Sequence, residues 1–133
     1  IWGSGGITIT GNGSLTIILP SSGDLYLMGN GITNSTRSPQ RLSILETPSS
    51  GGSPWYRTVN TTTPFYGVIY TPSNSLSLSG NPTIYGALVA NQISFSGSPS
   101  IHYDTSLRSA TFNGVTTPFG VSQVTEATGA NGS

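Results

Sequence analysis

One short phrase recurs along this chain and constrains its fold more than any other feature. The phrase consists of two apolar residues that alternate with polar ones, then a glycine, a tight turn and a further apolar residue. Its copies begin at Ile7, Leu25, Leu76, Ile93 and Ala110. Internal self-similarity is typical of repeat proteins, in which small units stack on their neighbours. The sequence therefore predicts a repeat architecture.

Each copy is predicted to form a β-strand with one buried face, because apolar and polar residues alternate with a period of two. Second strands are predicted after the tight turns, where branched and aromatic residues are concentrated. They are Leu15–Leu19, Phe65–Tyr70, Ile84–Val89 and Ile101–Tyr103. Helices of ordinary length are not expected, since 18 glycines and nine prolines interrupt the chain.

The spacing of the copies predicts the length of one turn of the stack. The last three copies are equally spaced, and Leu25 precedes Leu76 by three times the same interval. Two further turns are then expected to begin near Leu42 and Val59. Units this short bury an apolar face only by stacking. We therefore expect an all-β, right-handed parallel β-helix (a solenoid) with turns of about 17–20 residues; the alternative is an antiparallel β-sandwich.

The same pattern predicts the organisation of the chain. A single β-solenoid domain is expected over residues 1–121, with an inserted loop near residues 47–58, and residues 122–133 are expected to form a polar tail or cap. Neither end has the pattern of a strong cap, and the open strand edges of a solenoid pair readily with another chain. Self-association, or association with other surface subunits, is therefore expected.

Composition limits the partners and the compartment. Four arginines, no lysine and four acidic residues give a net charge of zero, so nucleic acid is not expected as a partner. The absence of cysteine excludes disulfides and thiol chemistry. No apolar run approaches the roughly 18 residues that span a membrane. Because Ser, Thr, Asn and Gly replace charge, we expect an extracellular or cell-surface protein.

Segments between Phe65 and Leu107 carry a resemblance to a known family. They are Phe65–Pro72, Leu76–Asn81, Ile84–Ala90 and Ser100–Asp104, which read FYGVIYTP, LSLSGN, IYGALVA and SIHYD. In this order they resemble the C-terminal domain of bacterial type IV pilus assembly proteins of the PilX-like class, which have a pilin-like N-terminus. The resemblance implies a β-helical surface module. The expected function is an extracellular structural protein, either a pilus-associated module or the subunit of a self-assembling filament.

Catalysis is not expected from the ionisable residues. His102 is the only histidine and lies two residues from Asp104, but nothing around it suggests an activated nucleophile or a second metal ligand. We expect a structural role for it near the end of the repeats. The remaining carboxylates, Asp24, Glu46 and Glu126, fall at other phases of the repeat, which disfavours the carboxylate pair of a glycosidase. No enzyme activity, metal or cofactor is predicted.

The alternative function is a ligand-binding module for ice or for surface polysaccharide. Small hydroxyl residues occupy outward positions of the repeated strand: Thr8, Thr10, Ser77, Ser79, Ser94 and Ser96. Ice-binding solenoids carry such ladders, although plain solvation of these positions is the simpler interpretation. Trp55 and Tyr56, placed in the inserted loop, are candidates for stacking on a sugar ring. Four other aromatics either line a groove or form ladders: Tyr66, Tyr70, Tyr85 and Tyr103.

The chain also contains acceptor patterns for N-linked glycosylation. They are centred on Asn12, Asn34, Asn60 and Asn131. A composition this rich in Asn, Ser and Thr produces several such patterns by chance. They are relevant only if the source organism glycosylates its surface proteins.

Overall fold

The computed structural model describes residues 6–20, 22–47, 55–112 and 115–116. Their strands are β1 (Ile7–Ile9), β2 (Leu15–Leu19), β3 (Leu25–Gly29), β4 (Ile32–Asn34), β5 (Leu42–Glu46), β6 (Tyr56–Thr61), β7 (Phe65–Gly80), β8 (Thr83–Gly97), β9 (Ser100–Tyr103), β10 (Thr111–Phe112) and β11 (Val115–Thr116). Two short 3₁₀ helices are η1 (Pro39–Arg41) and η2 (Thr105–Ser109). The described residues contain no α-helix and no helix long and apolar enough to cross a membrane. The protein is therefore all-β, as predicted.

Strand pairing in the described residues is parallel except in one short hairpin. The largest sheet contains the pairs β2–β5, β5–β7, β7–β6 and β6–β3, and β8 joins β7 to β9. A separate two-stranded sheet pairs β1 with β4, also in parallel. Only β10 and β11 run antiparallel. The antiparallel sandwich that the sequence left open does not describe this pairing.

The long strands β7 and β8 pair at close to the interval that the sequence predicted. Each contributes to two parallel ladders, because the pairing shifts register between Thr71 and Ser75. Before this shift Phe65 pairs with Ile84, and after it Leu76 pairs with Ile93. The separation in sequence between the paired residues is slightly shorter after the shift than before it. The pairing of Ile84 with Ile101, between β8 and β9, has the same shorter offset. At this end of the stack, equivalent strands of successive copies therefore lie side by side.

Earlier strands are spaced more widely than the sequence pattern predicted. Leu25 pairs with Arg57, and Arg57 pairs with Leu76, so that the first step along the chain is much longer than the second. The interval from Leu25 to Leu76 thus contains two unequal steps and not three equal ones. Insertions between strands change the spacing of repeats without changing which strands pair. The expected loop near residues 47–58 is also shorter than predicted, since Tyr56 already begins β6.

The two further turns that were expected to begin near Leu42 and Val59 do not have the predicted strand pairing. Leu42 does begin a strand, but β5 pairs with β2, placing Leu42 opposite Leu15. Val59 lies inside β6, opposite Leu27, and does not begin a turn. The physical reason is that two separate ladders share one alternating pattern, so that pattern alone does not identify the ladder. Residues 122–133, predicted as a tail or cap, lie outside the described residues.

Apolar side chains at alternate strand positions form the core between the ladders. Leu42, Ile44 and Ile69 belong to its fully buried part, together with Leu76 and Leu78. Burial of such a side chain contributes about 1.5–3 kcal/mol. A smaller second cluster contains Val68, Ala87 and the buried Leu107 of η2. Because Val68 alternates with the core residue Ile69, this second cluster lies on the outer side of the ladder, where η2 covers it.

Candidate functional site

A buried ion pair joins inward-facing side chains of two different ladders. Arg57 occupies the position between Leu25 and Leu76 in the β3–β6–β7 ladder and is only 1% exposed. Its Nη2 lies 3.3 Å from Oε1 of Glu46, the last residue of β5, which is also buried. A charge inside a protein requires a partner because desolvation is costly. Glu46 is that partner.

Backbone carbonyl groups complete the surroundings of the guanidinium. Arg57 Nη1 donates to the carbonyl oxygen of Gly23, and Nη2 donates to that of Pro20 at 3.3 Å. Both acceptors lie in the connection between β2 and β3. Arg presents several donors in a fixed plane, so one side chain can bind several acceptors at once. Arg57 therefore connects the β2–β3 corner to the end of β5.

Asn74 extends this network to the next strand of the stack. Its Nδ2 donates to Oε1 of Glu46, and its Oδ1 accepts from the backbone N of Trp55 at 2.9 Å. Asn74 lies where β7 changes register, immediately before Ser75. The polar corner, defined as Glu46, Arg57 and Asn74, thus joins three successive segments of backbone. Within it Oε2 of Glu46 and Nε of Arg57 have no hydrogen-bond partner.

The polar corner is suited to structure and not to acid–base chemistry. General acid–base catalysis requires a group within hydrogen-bond reach of a substrate atom. Glu46 and Arg57 are removed from solvent and contact each other. The sequence did not predict this pair, because a regular repeat places Glu46 and Arg57 at unrelated positions of the repeat unit. The sequence does contain a signal for a buried arginine: Arg57 lies two residues before Val59, at a strand position where an apolar residue is expected.

An outward column of aromatic rings crosses β7, β8 and the short strand β9. Tyr66, Tyr85 and His102 face one another in the registers of β7, β8 and β9. Ring centroids are 4.8 Å apart for the two tyrosines and 4.7 Å for Tyr85 and His102, with interplanar angles of 9° and 15°. Stacked rings contribute beyond the area that they bury. Tyr66 and Tyr85 are therefore ladder residues, one of the two predicted alternatives.

His102 and Asp104 are used separately in the structure. Nε2 of His102 lies 2.9 Å from Oγ of Ser100, and its ring stacks on Tyr85. Oδ1 of Asp104 accepts from the backbone N of Ser106 at 2.9 Å and caps η2. A side-chain oxygen at a helix start satisfies an otherwise unpaired N–H group. These contacts agree with the structural role that the sequence predicted for His102.

The predicted hydroxyl positions divide into two groups. Ser77 pairs with Ser94, and Ser79 pairs with Ser96, on the outer side of β7 and β8. Thr8, by contrast, pairs with Thr33 in the separate β1–β4 sheet, and Thr10 follows the end of β1. The single ladder expected from all six residues is therefore wrong. The repeated phrase occurs in strands of different ladders, which its alternation does not distinguish.

The two loop aromatics are held at the start of β6. Trp55 is half-buried, whereas Tyr56 is 65% exposed. The backbone N of Tyr56 donates to Oδ1 of Asp24 at 2.8 Å. Both residues are thus fixed to the stack by their main chain and not carried on a free loop tip.

The glycosylation patterns differ in their accessibility. Asn34 is buried, and its Nδ2 donates to the carbonyl oxygens of Ser38 and Tyr66 at 2.8 and 2.9 Å. Because N-linked glycans attach to this nitrogen, the folded protein does not offer Asn34 as an acceptor. Asn12 is exposed, and Asn60 is half-buried. Asn131 lies outside the described residues.

Metal ligands do not cluster in the part of the chain that the structure describes. There, no group of three or more His, Asp or Glu side chains is arranged so that it could hold a metal ion. The described residues thus combine parallel ladders, a buried polar corner and an outward aromatic column in an all-β protein. Residues 2–110 match the family described as "Domain of unknown function (DUF7305)", and the chain belongs to this family. None of the curated proteins and none of the solved structures compared with the chain matches it.

Proposed function

We propose that the chain is a right-handed parallel β-helix that serves as a structural module of a cell-surface assembly, either attached to a pilus or as a filament subunit. The observation that supports this proposal most is the in-register parallel pairing of β7 with β8 over both of their halves. Stacked repeats of this kind gain stability from nearest-neighbour interfaces and form stiff, elongated scaffolds. A scaffold is what such a surface module must provide.

The use of the carboxylates supports a non-catalytic role. Of the four in the chain, the structure describes three, and each accepts hydrogen bonds from the protein itself. Asp24 accepts from the backbone N of Tyr56, Glu46 contacts Arg57, and Asp104 caps η2. Most enzymes that hydrolyse glycans use two carboxyl groups aimed at one bond. Here the three groups hold backbone segments together.

Composition supports the location outside the cell. A surface of Ser, Thr, Asn and Gly with a net charge of zero remains solvated without attracting nucleic acid or anionic lipid. The segment that resembles pilus assembly proteins, residues 65–107, coincides with β7, β8, β9 and η2. The longest parallel pairing, that of β7 with β8, and the resemblance thus fall on the same part of the chain.

Immunogold electron microscopy of the source cells tests the proposed location. Antibodies raised against the purified full chain should label intact cells, on pili or other surface filaments, and brief treatment with an external protease should remove the label. A secreted scaffold is accessible without permeabilisation. Labelling that appears only after the cells are permeabilised would overturn the proposal, and antibody depleted on the purified protein provides the control.

A further inference from the structure

Two exposed tyrosines lie on the outer face of the β3–β6 ladder. Tyr26 is 47% exposed and Tyr56 is 65% exposed. Tyr26 alternates with the buried Leu27, and Tyr56 alternates with the buried Arg57, so both rings project away from the core. Single aromatic residues at a surface need no explanation, whereas neighbouring rings form a patch that commonly binds a partner.

The register of the ladder makes the two rings neighbours. Tyr26 pairs with Thr58, and Tyr56 lies two residues before Thr58 on the same face of β6. From the spacing of paired strands and the rise along a strand, the Cα atoms of the two tyrosines are about 8 Å apart. This distance allows one extended ligand to contact both rings.

The carboxylate of Asp24 contacts both tyrosines. Its Oδ1 accepts from the backbone N of Tyr56 at 2.8 Å, and its Oδ2 accepts from the hydroxyl of Tyr26 at 3.5 Å. Asp24 is itself exposed. Side chains that are already positioned lose less conformational entropy when a ligand binds. We call Asp24, Tyr26, Tyr56 and Thr58 the tyrosine face.

The outward positions beside the tyrosine face are polar and uncharged. On β7 and β8 the rows of Tyr56 and Thr58 continue with residues that carry hydroxyl or amide groups: Ser75, Ser77, Gln92 and Ser94. Gln92 and Ser94 are exposed. In these two rows Asp24 is therefore the single charged side chain, and no cation accompanies it.

This combination of groups fits a neutral polysaccharide. A sugar ring presents a face of C–H groups that packs on an aromatic ring, and its hydroxyl groups bond to carboxylate, hydroxyl and amide groups. An acidic polysaccharide or a nucleic acid would be repelled by Asp24 and would find no cation in these rows.

A protein partner fits the tyrosine face less well. The interfaces of protein complexes contain fewer Asp and Ser residues than the rest of the surface, but Asp24 and three serines occupy these rows. A stable interface also buries about 800 Å² on each partner. Two tyrosine rings cover only a part of such an area.

We propose that the tyrosine face binds a neutral polysaccharide, whose sugar rings pack on Tyr26 and Tyr56 and whose hydroxyl groups donate to Asp24. Gln92 and Ser94 extend the surface along the chain of sugars. This binding site goes beyond the proposed structural role and does not depend on it.

Biolayer interferometry of the purified full chain tests this site. The chain contains no lysine, so an amine-reactive biotin attaches at the α-amino group alone. The probes are three neutral polysaccharides (dextran, galactomannan and hydroxyethyl cellulose) and the acidic polygalacturonate. We expect saturable binding of at least one neutral probe. Polygalacturonate should bind at least about tenfold more weakly, because Asp24 repels it.

Substitutions of the two rings show whether the binding occurs at the tyrosine face. Tyr26→Ala and Tyr56→Ala should each raise the dissociation constant at least about tenfold, since each removes a ring that packs on a sugar. Tyr56→Phe retains the ring and should bind like the wild type. Circular dichroism and the Tm establish that each variant is folded. If Tyr26→Ala is not, the more exposed Tyr56 decides the test.

Phe95→Ala is the matched control for the loss of an exposed ring. Phe95 is 56% exposed, but it pairs with the buried Leu78 and therefore lies on the inward side of β8. Its replacement should leave the dissociation constant unchanged. An equal loss of binding in Phe95→Ala and Tyr56→Ala would contradict the proposed site.

Three further results would overturn the proposal. They are no saturable binding of any neutral probe, equally tight binding of polygalacturonate, and binding that Tyr56→Ala leaves unchanged. Sedimentation velocity of the same proteins tests the protein alternative: self-association of the wild type that Tyr56→Ala abolishes would assign the tyrosine face to a protein contact. The immunogold experiment is independent of these measurements, so the surface location and the binding site are tested separately.

Discussion

At the scale of single residues, Arg57 is the most informative position because its charge interrupts an apolar column. It lies between Leu25 and Leu76 and is balanced by Glu46. An apolar residue at this position would extend the core without any need for a partner. The arginine instead connects the β2–β3 corner, the end of β5 and the start of β6 through one planar group. Arg57 therefore fixes these three backbone segments relative to one another.

Replacement of Arg57 tests this contribution. Arg57→Leu leaves the buried carboxylate of Glu46 without its counter-charge and should lower the free energy of unfolding by about 3–5 kcal/mol. The double variant Arg57→Leu/Glu46→Leu should be more stable than Arg57→Leu alone, because it removes the uncompensated charge. Urea denaturation of the purified proteins measures both effects.

The control for this experiment is Arg108→Leu. Arg108 is exposed on η2, so its replacement should change the free energy of unfolding by no more than about 0.5 kcal/mol. Equal stabilities of the Arg57→Leu and Arg108→Leu variants would contradict the role of the buried pair. So would a double variant less stable than Arg57→Leu.

At the scale of strands, the close stacking of β7 on β8 depends on glycine. Gly86 has a φ of +148°, and a Cβ atom there would lie 1.8 Å from the carbonyl oxygen of Gly67. Gly97 stands in the same relation to Gly80, at 2.0 Å. Real Cβ atoms do not approach an oxygen this closely, so any side chain would displace one strand from the other. The two glycines set the spacing of the ladder.

Gly86→Ala tests the dependence on glycine. The clash with Gly67 should lower the free energy of unfolding by about 1–3 kcal/mol or more, as overpacking does in other proteins. Ser96→Ala, an exposed position of the same strand, is the control and should stay within about 0.5 kcal/mol of the wild type. Thermal and urea unfolding provide the comparison. Similar stabilities of the two variants would show that β7 and β8 are not stacked as closely as described.

The strands were the part of the fold that could be predicted from sequence. Alternation identified β3, the second half of β7 and the second half of β8, and it placed Ser77 and Ser94 on one outer row. Alternation reports which face of a strand is buried, but not which strand pairs with it. For this reason the long step from Leu25 to Arg57 was not predictable, and neither was the separate position of Thr8.

The candidate site was less predictable than the fold. The aromatic column followed from the repeat, since Tyr66 and Tyr85 occupy equivalent positions in two copies of the second strand. The polar corner did not, because its three residues come from strands whose spacing is irregular. Side-chain contacts between such segments depend on the insertion lengths, which the repeated phrase does not contain.

At the scale of the whole molecule, the protein combines parallel ladders with few charged residues and a net charge of zero. In the described residues, parallel pairing places apolar side chains of neighbouring strands together in a buried core. The proposed surface scaffold depends on this pairing. It requires β7 and β8 to lie in parallel register.

Cysteine pairs introduced into this cysteine-free chain test that register most directly. Ser77→Cys/Ser94→Cys and Ser79→Cys/Ser96→Cys place the new thiols on directly opposed residues. Paired strands lie about 4.8 Å apart, within the range that a disulfide bridges, whereas the crossed pairs Ser77→Cys/Ser96→Cys and Ser79→Cys/Ser94→Cys lie about 8 Å apart. Intact mass and peptide mapping of the oxidised monomer measure the bridges. We predict that both opposed pairs close and that both crossed pairs stay reduced; closure of the crossed pairs would mean antiparallel strands and would contradict the proposed β-helix.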